Sequence, residues 1–181
     1  WGGCVYHMTC RGSRFADGAQ RNYRGGGGYD NPFWSVAKNP FNDNVNRIIG
    51  NIQASYVFSK WATLGMNVGL DRFSDRRTQK YAVGSRAFPN GKIVEQSINV
   101  VQSDAYLTLS GGDYLNEDKT IDLTYTVGLN SFTYSSDDLY TAGNDFGFVG
   151  FDNLANASAI NSARTLNVYK TLSAFASVDL G

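Results

Sequence analysis

The sequence predicts an all-β fold: antiparallel strands forming part of the wall of a transmembrane β-barrel. Three observations carry this reading. Long stretches alternate apolar and polar residues with period two. The polar face of those stretches is nearly uncharged. The connections between them alternate short and long.

The first pair of strands lies in "NRIIGNIQASYVFSKWATLGMNVGLDRF", residues 46–73. Ile48, Gly50, Ile52, Ala54, Tyr56 and Phe58 fall on one side, and Arg47, Ile49, Asn51, Gln53, Ser55 and Val57 on the other. After Ser59 and Lys60, read as a turn, the rhythm restarts with Ala62, Leu64, Met66, Val68 and Leu70 against Thr63, Gly65, Asn67, Gly69 and Asp71. Such alternation marks a strand with one face in an apolar medium. Residues 48–70 hold a single charge, Lys60, whereas residues 71–95 hold nine. The second stretch therefore reads as a solvated loop.

A second pair follows. Val101, Ala105, Leu107, Leu109 and Gly111 oppose Gln102, Asp104, Tyr106, Thr108 and Ser110, with Ser103 interrupting the apolar side. The polar turn "NEDK" occupies residues 116–119. Ile121, Leu123, Tyr125, Val127 and Leu129 then alternate with Asp122, Thr124, Thr126, Gly128 and Asn130. Residues 131–164 read as another long loop. A last strand runs from Thr165, with Leu166, Val168, Leu172, Ala174, Ala176, Val178 and Leu180 outward.

Short turns on one side and long loops on the other are the periplasmic and extracellular ends of an outer-membrane barrel. The strands so delimited run to about 12–14 residues, longer than the usual five or six of globular proteins. They exceed the roughly 9–11 needed to cross a bilayer at a tilt. A soluble β-sandwich that binds glycans is the alternative, since it also alternates. Its second face would meet bulk water and carry Lys, Glu and Arg. Here that face carries Asn, Gln, Ser, Thr and Gly, which suits a polar, crowded lumen. Lys170 breaks the outward face of the last strand. A lysine there costs roughly 2–4 kcal/mol at mid-bilayer and about 0–1 near the interface, so it is expected at the outer rim, snorkelling toward lipid phosphates. Tyr56, Phe58 and Trp61 are expected as an interfacial aromatic girdle at the periplasmic turn.

The totals bound function. Sixteen basic and sixteen acidic side chains cancel, so no net field points to nucleic acid. Charged residues make up 18%, below the roughly 25% of soluble domains. No run of eighteen apolar residues offers a membrane helix, and no basic segment with an apolar core offers a signal peptide. Trp1 in place of Met reads as a processed or partial chain. "CVYHMTC", residues 4–10, places Cys4, His7, Met8 and Cys10 together. It lacks a usual zinc spacing and a fourth strong ligand. On an extended strand the two sulfurs would stand about 20 Å apart, too far for a disulfide.

Residues 30–71 and 163–181 carry a family resemblance. Asn31, Pro32, Phe33 and Trp34, then Asn46 and Arg47, then Trp61 and Leu64 resemble the pattern of SusC/RagA-type TonB-dependent outer-membrane transporters. "ARTLNVYKTLSAFASVDLG" is similar to a later strand of that family. The resemblance implies a barrel of about 22 strands, of which this chain supplies five or six. It also implies an internal plug, a SusD-like lipoprotein as an extracellular lid, TonB as the energy source through parts outside this chain, and oligosaccharides or peptides as cargo. Outer-membrane lipid and lipopolysaccharide surround such a barrel in the bacterial outer membrane. A barrel segment recruited to a structural or secretion assembly is a further alternative. Residues 30–181 form the barrel segment. Residues 1–29, Gly-rich at Gly25–Gly28, are left unplaced by the resemblance, with room for a strand and an extracellular loop.

No catalytic constellation is present, and no cofactor is implied. "DFG" at 145–147 lacks the other kinase motifs. "NAS" at 156–158 matches a glycosylation acceptor that has no such role in a bacterial barrel. Binding is the expected chemistry: aromatic platforms with planar amides and carboxylates hold sugars. Phe33 and Trp34 in one extracellular loop, and Asp145, Phe146, Phe148, Phe151, Asp152 and Asn153 in another, are the candidates for substrate or lid contact. The plainer role for the same aromatics is packing loops together.

Overall fold

The computed structural model describes residues 14–21 and 28–181. Cys4, His7, Met8, Cys10 and Gly25 to Gly27 lie outside them. The described chain holds a helix α1 (Pro32–Lys38), five strands, β1 (Phe41–Ser59), β2 (Ala62–Tyr81), β3 (Lys92–Tyr114), β4 (Asp122–Phe146) and β5 (Ala157–Leu180), and a single 3-10 turn at Leu154–Asn156. The strands form one sheet in the order β1-β2-β3-β4-β5. Among the described residues no second sheet packs on it, so the sandwich alternative finds no partner layer.

Cross-strand contacts fix the register. Arg47 pairs with Asp71 and Asn51 with Asn67, so four residues forward on β1 are four back on β2. Lys60 with Asp113 and Thr108 with Gly65 set β2 against β3. Asn130 with Asp104, and Gln96 with Asp138, set β3 against β4. Asp122 and Gly181 exchange two backbone hydrogen bonds, and Phe175 lies over Gly128, which sets β4 against β5. Every pair is antiparallel. Within the stretches read as strand, Arg47–Asp71, Asn51–Asn67, Thr108–Gly65, Asn130–Asp104 and Gly128–Phe175 join residues of the face expected to be polar, whereas Lys60–Asp113 joins the other face at its turn end.

The strands are longer than the alternation showed. Residues 72–81, 92–99 and 131–146 read as loop but are strand, and the connections shrink to residues 82–91 and 147–156. Period two is visible only where one face meets an apolar medium. Elsewhere the ladder still pairs, and the side chains need not alternate. The first turn is Lys60–Trp61, one residue later than expected. Residues 32–38 are helical because Pro32 sits at the first helical position and the Asn31 side chain accepts from Phe33 N. Both devices favour a helix start. Of residues 1–29, the described part shows a turn at 16–18 closed by an antiparallel bridge between Arg14 and Gln20.

Contacts divide the chain into two compact units. One comprises the described part of Trp1–Val45 with Asp75–Ile98 and Asp138–Arg164, and it holds α1 and the two ten-residue connections. The other comprises Asn46–Ser74, Asn99–Asp137 and Thr165–Gly181. In this second unit the apolar side chains line one face and stay open. Ile52 is 68% exposed, Leu172 78% and Val178 64%. A face this apolar and this uncovered marks contact with lipid or another protein. Ile48 to Phe58 spans eleven residues, the length of one tilted crossing. At its end Tyr56 and Phe58 meet edge to face at 4.7 Å, Trp61 is 59% exposed, and Tyr125 Oη donates to the Trp61 carbonyl at 2.6 Å. Tyr125 thus joins the aromatic group expected there.

The opposite face of the same unit is polar and self-paired. The Arg47 guanidinium donates twice to Asp71, at 2.9 and 2.6 Å. Asn130 Nδ2 donates to Asp104 Oδ1 at 2.8 Å. Rings also stand on this face. Phe132 and Tyr169 pair at 6.1 Å, and a Cβ on Gly128 would lie 2.3 Å from the Phe175 ring. Glycine there lets Phe175 lie down against the sheet.

Candidate functional site

Hydrogen bonds sort the eight candidate residues into two groups, both in the unit that holds the connections. The first is organised by α1. Trp34 is 4% exposed; its indole Nε1 donates to Ser85 Oγ at 3.2 Å, and its ring edge covers Gly84. Ser85 Oγ donates in turn to Asn39 Oδ1 at 2.9 Å, which also accepts from Ala82 N at 3.0 Å. Asp30 accepts from Arg86 N at 2.7 Å and from Gln20 Nε2 at 2.8 Å. The helix is therefore tied to the β2–β3 connection, and Trp34 is the buried peg. Phe33, one position earlier, points out and is 46% exposed. Of the two neighbouring aromatics, one can meet a partner directly.

The second group is the end of β4 and the connection after it. Asp145 has a positive φ of 58°. Its N donates to Gly91 O at 3.1 Å, and its Oδ1 accepts from Asn90 Nδ2 at 3.1 Å. Phe146 N donates to Asn90 O at 2.9 Å. The Phe146 ring lies against Gly91, where φ is 83° and an added Cβ would come within 2.4 Å of that ring. Asp145 and Phe146 thus clamp the end of β4 to the β2–β3 connection. Asn153 caps the 3-10 turn by accepting from Ala155 N at 2.9 Å. Asp152 is half-buried beside it.

Phe148 and Phe151 do the opposite of packing inward. They are 74% and 54% exposed, and Val149 between them is 83% exposed. What holds them out is Asn156, itself 8% exposed. Its Oδ1 accepts from Phe148 N at 3.0 Å, and its Nδ2 donates to the carbonyls of Phe148 and Phe151 at 2.7 Å each. One buried side chain replaces three backbone partners. Sequence reasoning missed Asn156 and Val149. The only local sign was an Asn-rich end to an aromatic run.

Removing that amide takes the partner from the Phe148 N–H and carbonyl, while Phe151 O keeps its bond from Asn153 N at 3.0 Å. Each such loss costs about 1–3 kcal/mol. Asn156→Ala is therefore expected to loosen residues 147–156 without unfolding the sheet. Hydrogen exchange would show it as lost protection at Phe148 N, with β4 and β5 unchanged. Protection equal to wild type at Phe148 would contradict this role.

The arrangement offers no nucleophile–base pair. Among the described residues no group of three or more His, Cys, Asp or Glu side chains could hold a metal ion. The loop presents three exposed apolar side chains, Phe148, Val149 and Phe151, on a braced backbone.

Comparison with known proteins places the sheet. No family model matches the sequence, and no curated relative does. The RagAB peptide transporter matches the fold with a TM-score of 0.74 at 20% identity, over 83% of this chain and 17% of that one. The RagAB peptide importer matches in its closed-closed state with a TM-score of 0.70, also at 20% identity, over 80% and 16%. In its open-open state it matches with 0.72 at 20% identity, over 92% and 19%. The chain thus spans less than a fifth of the length of those proteins and has the fold of a barrel segment within them.

Proposed function

We propose that this chain is wall and mouth of a TonB-dependent importer of the SusC type in the bacterial outer membrane. The observation that carries the proposal is the match of its sheet to a segment of peptide-transporter barrels over 80–92% of the chain. The faces of the sheet support it: open and apolar on one side, self-paired and polar on the other. The outer face meets lipid and lipopolysaccharide. The inner face, with its amides and its Phe132, Tyr169 and Phe175 rings, borders the path of an oligosaccharide or peptide. The chain is not an enzyme. TonB acts through parts of the transporter outside this chain.

The braced Phe148–Val149–Phe151 loop and Phe33 then contact a SusD-like lid lipoprotein or the cargo below it. Large apolar side chains on a rigid loop are the kind of anchor that dominates an interface, each worth about 2 kcal/mol or more. Phe148→Ala with Phe151→Ala is expected to lower lid co-purification with the full transporter by about tenfold or more, while the barrel stays heat-modifiable on gels. Undiminished lid capture and cargo uptake by that double variant would remove these residues from the interface. No uptake of any oligosaccharide or peptide by the intact transporter would remove the transport reading itself.

A further inference from the structure

The outward face of the second unit ends on a level rung. Extending the register of each strand pair puts Asn46, Arg72, Val101, Thr133 and Lys170 side by side across the five strands. One step toward the Lys60–Trp61 turn, the rung reads Ile48, Leu70, Ser103, Ser131 and Leu172. From there toward that turn, β1 to β5 present apolar side chains outward. Lys170, the residue that interrupts the outward pattern of β5, stands on the rung above this surface, with Val168 and Leu166 beyond it on the same strand.

Arg72 and Lys170 are the two cations of that rung. Both are exposed, and among the described residues neither has an ion-pair partner. Three strand intervals separate them, about 14 Å at the usual strand spacing. Between them lie the hydroxyls of Thr133, Ser131 and Ser103. Below them an open groove of about 300 Å³ is lined by Met66, Val68, Leu107, Leu129 and Leu172 among others.

We propose that this surface is a site for a doubly phosphorylated, multiply acylated saccharide lipid, the chemistry of lipid A. Resting on the outer-membrane reading above, it assigns each part of the lipid a place. Arg72 takes one phosphate as a planar, multidentate donor, and Lys170 takes the other as a point charge. The hydroxyl-bearing strip between them faces the sugar backbone. An acyl chain lies in the groove, where apolar side chains replace neighbouring lipid tails. A singly charged phospholipid can satisfy one cation at a time. Two cations this far apart therefore favour a lipid with two phosphates.

Native mass spectrometry of the full transporter in detergent tests this, with diphosphoryl lipid A, monophosphoryl lipid A and phosphatidylglycerol as probes. Wild type is expected to retain diphosphoryl lipid A at least tenfold better than either other lipid. Arg72→Gln with Lys170→Gln is expected to erase that preference. Lys60→Gln, at the other end of the sheet, is expected to keep it. Heat-modifiability on gels verifies that each variant is folded. Equal retention of the three lipids by wild type, or an unchanged preference in the folded double variant, would overturn the proposal and leave the barrel reading standing. A protein that stays monomeric without detergent would overturn both.

Discussion

Trp34→Ala is expected to release α1 from the β2–β3 connection at a cost of about 3–5 kcal/mol, the usual loss for a buried tryptophan. The indole is 4% exposed and its Nε1 hydrogen bond to Ser85 Oγ is buried. Truncation leaves a cavity beside Gly84 and takes one donor from the buried Ser85 hydroxyl, which keeps its bond to Asn39. The Arg14 guanidinium, 5.8 Å from the ring centre, loses its platform as well. The sheet does not depend on this peg, since its ladders run elsewhere. Limited trypsin digestion of the full transporter should therefore cut at Lys38 in the variant long before wild type, with strand protection unchanged. Equal resistance at Lys38 would show that Asp30 and Asn39 hold the helix without the indole. Trp34→Phe keeps most of the volume and is expected to recover part of the resistance.

Leu107→Arg is expected to cost about 2–4 kcal/mol in a lipid environment, the depth-dependent penalty at mid-bilayer. Leu107 shares its outward rung with Ile52, Met66, Val127 and Ala176, three steps below the rung of Lys170. A guanidinium there cannot reach either interface without dragging the strand. Arginine at Val168, on the far side of Lys170 along β5, should cost only about 0–1 kcal/mol. Urea unfolding in vesicles would measure both. If the two variants lost the same stability, the outward face would not be graded by depth, and water rather than lipid would cover it.

The sequence made the fold legible where physics imposed a rule on it. From Ile48 to Phe58, Ala62 to Leu70 and Ile121 to Leu129, one face had to be apolar, and alternation followed. Beyond Leu70 and Leu129 that rule lapses. Strands continue through Asp75–Tyr81 and Ser131–Phe146, where polar side chains fall on both faces and alternation no longer marks a strand. The start of α1 was written in Asn31-Pro32, a cap and a preset φ, but seven residues are too few for a periodic signal. The candidate aromatics were legible as a group, not in their roles. Trp34 differs from Phe33, and Phe146 from Phe148, only in what the fold brings beside them: Gly84 and Ser85 in one case, Gly91 in the other. Asn156 was illegible because its partners are backbone groups five and eight residues away. The pairing of Phe175 with Gly128 needed the register of β4 and β5, which no single strand contains.

A sheet in the wall of an outer-membrane transporter presents its two faces to two different media. Single spin labels along β3, from Ala105 to Leu109, test it most directly in the full transporter in lipid vesicles, with Cys4 and Cys10 replaced by Ser. Labels at 105, 107 and 109 should be relaxed by oxygen dissolved in the bilayer and shielded from a water-soluble nickel chelate. Labels at 106 and 108 should show the reverse order of accessibility. Equal access of the nickel chelate to all five positions would contradict the account.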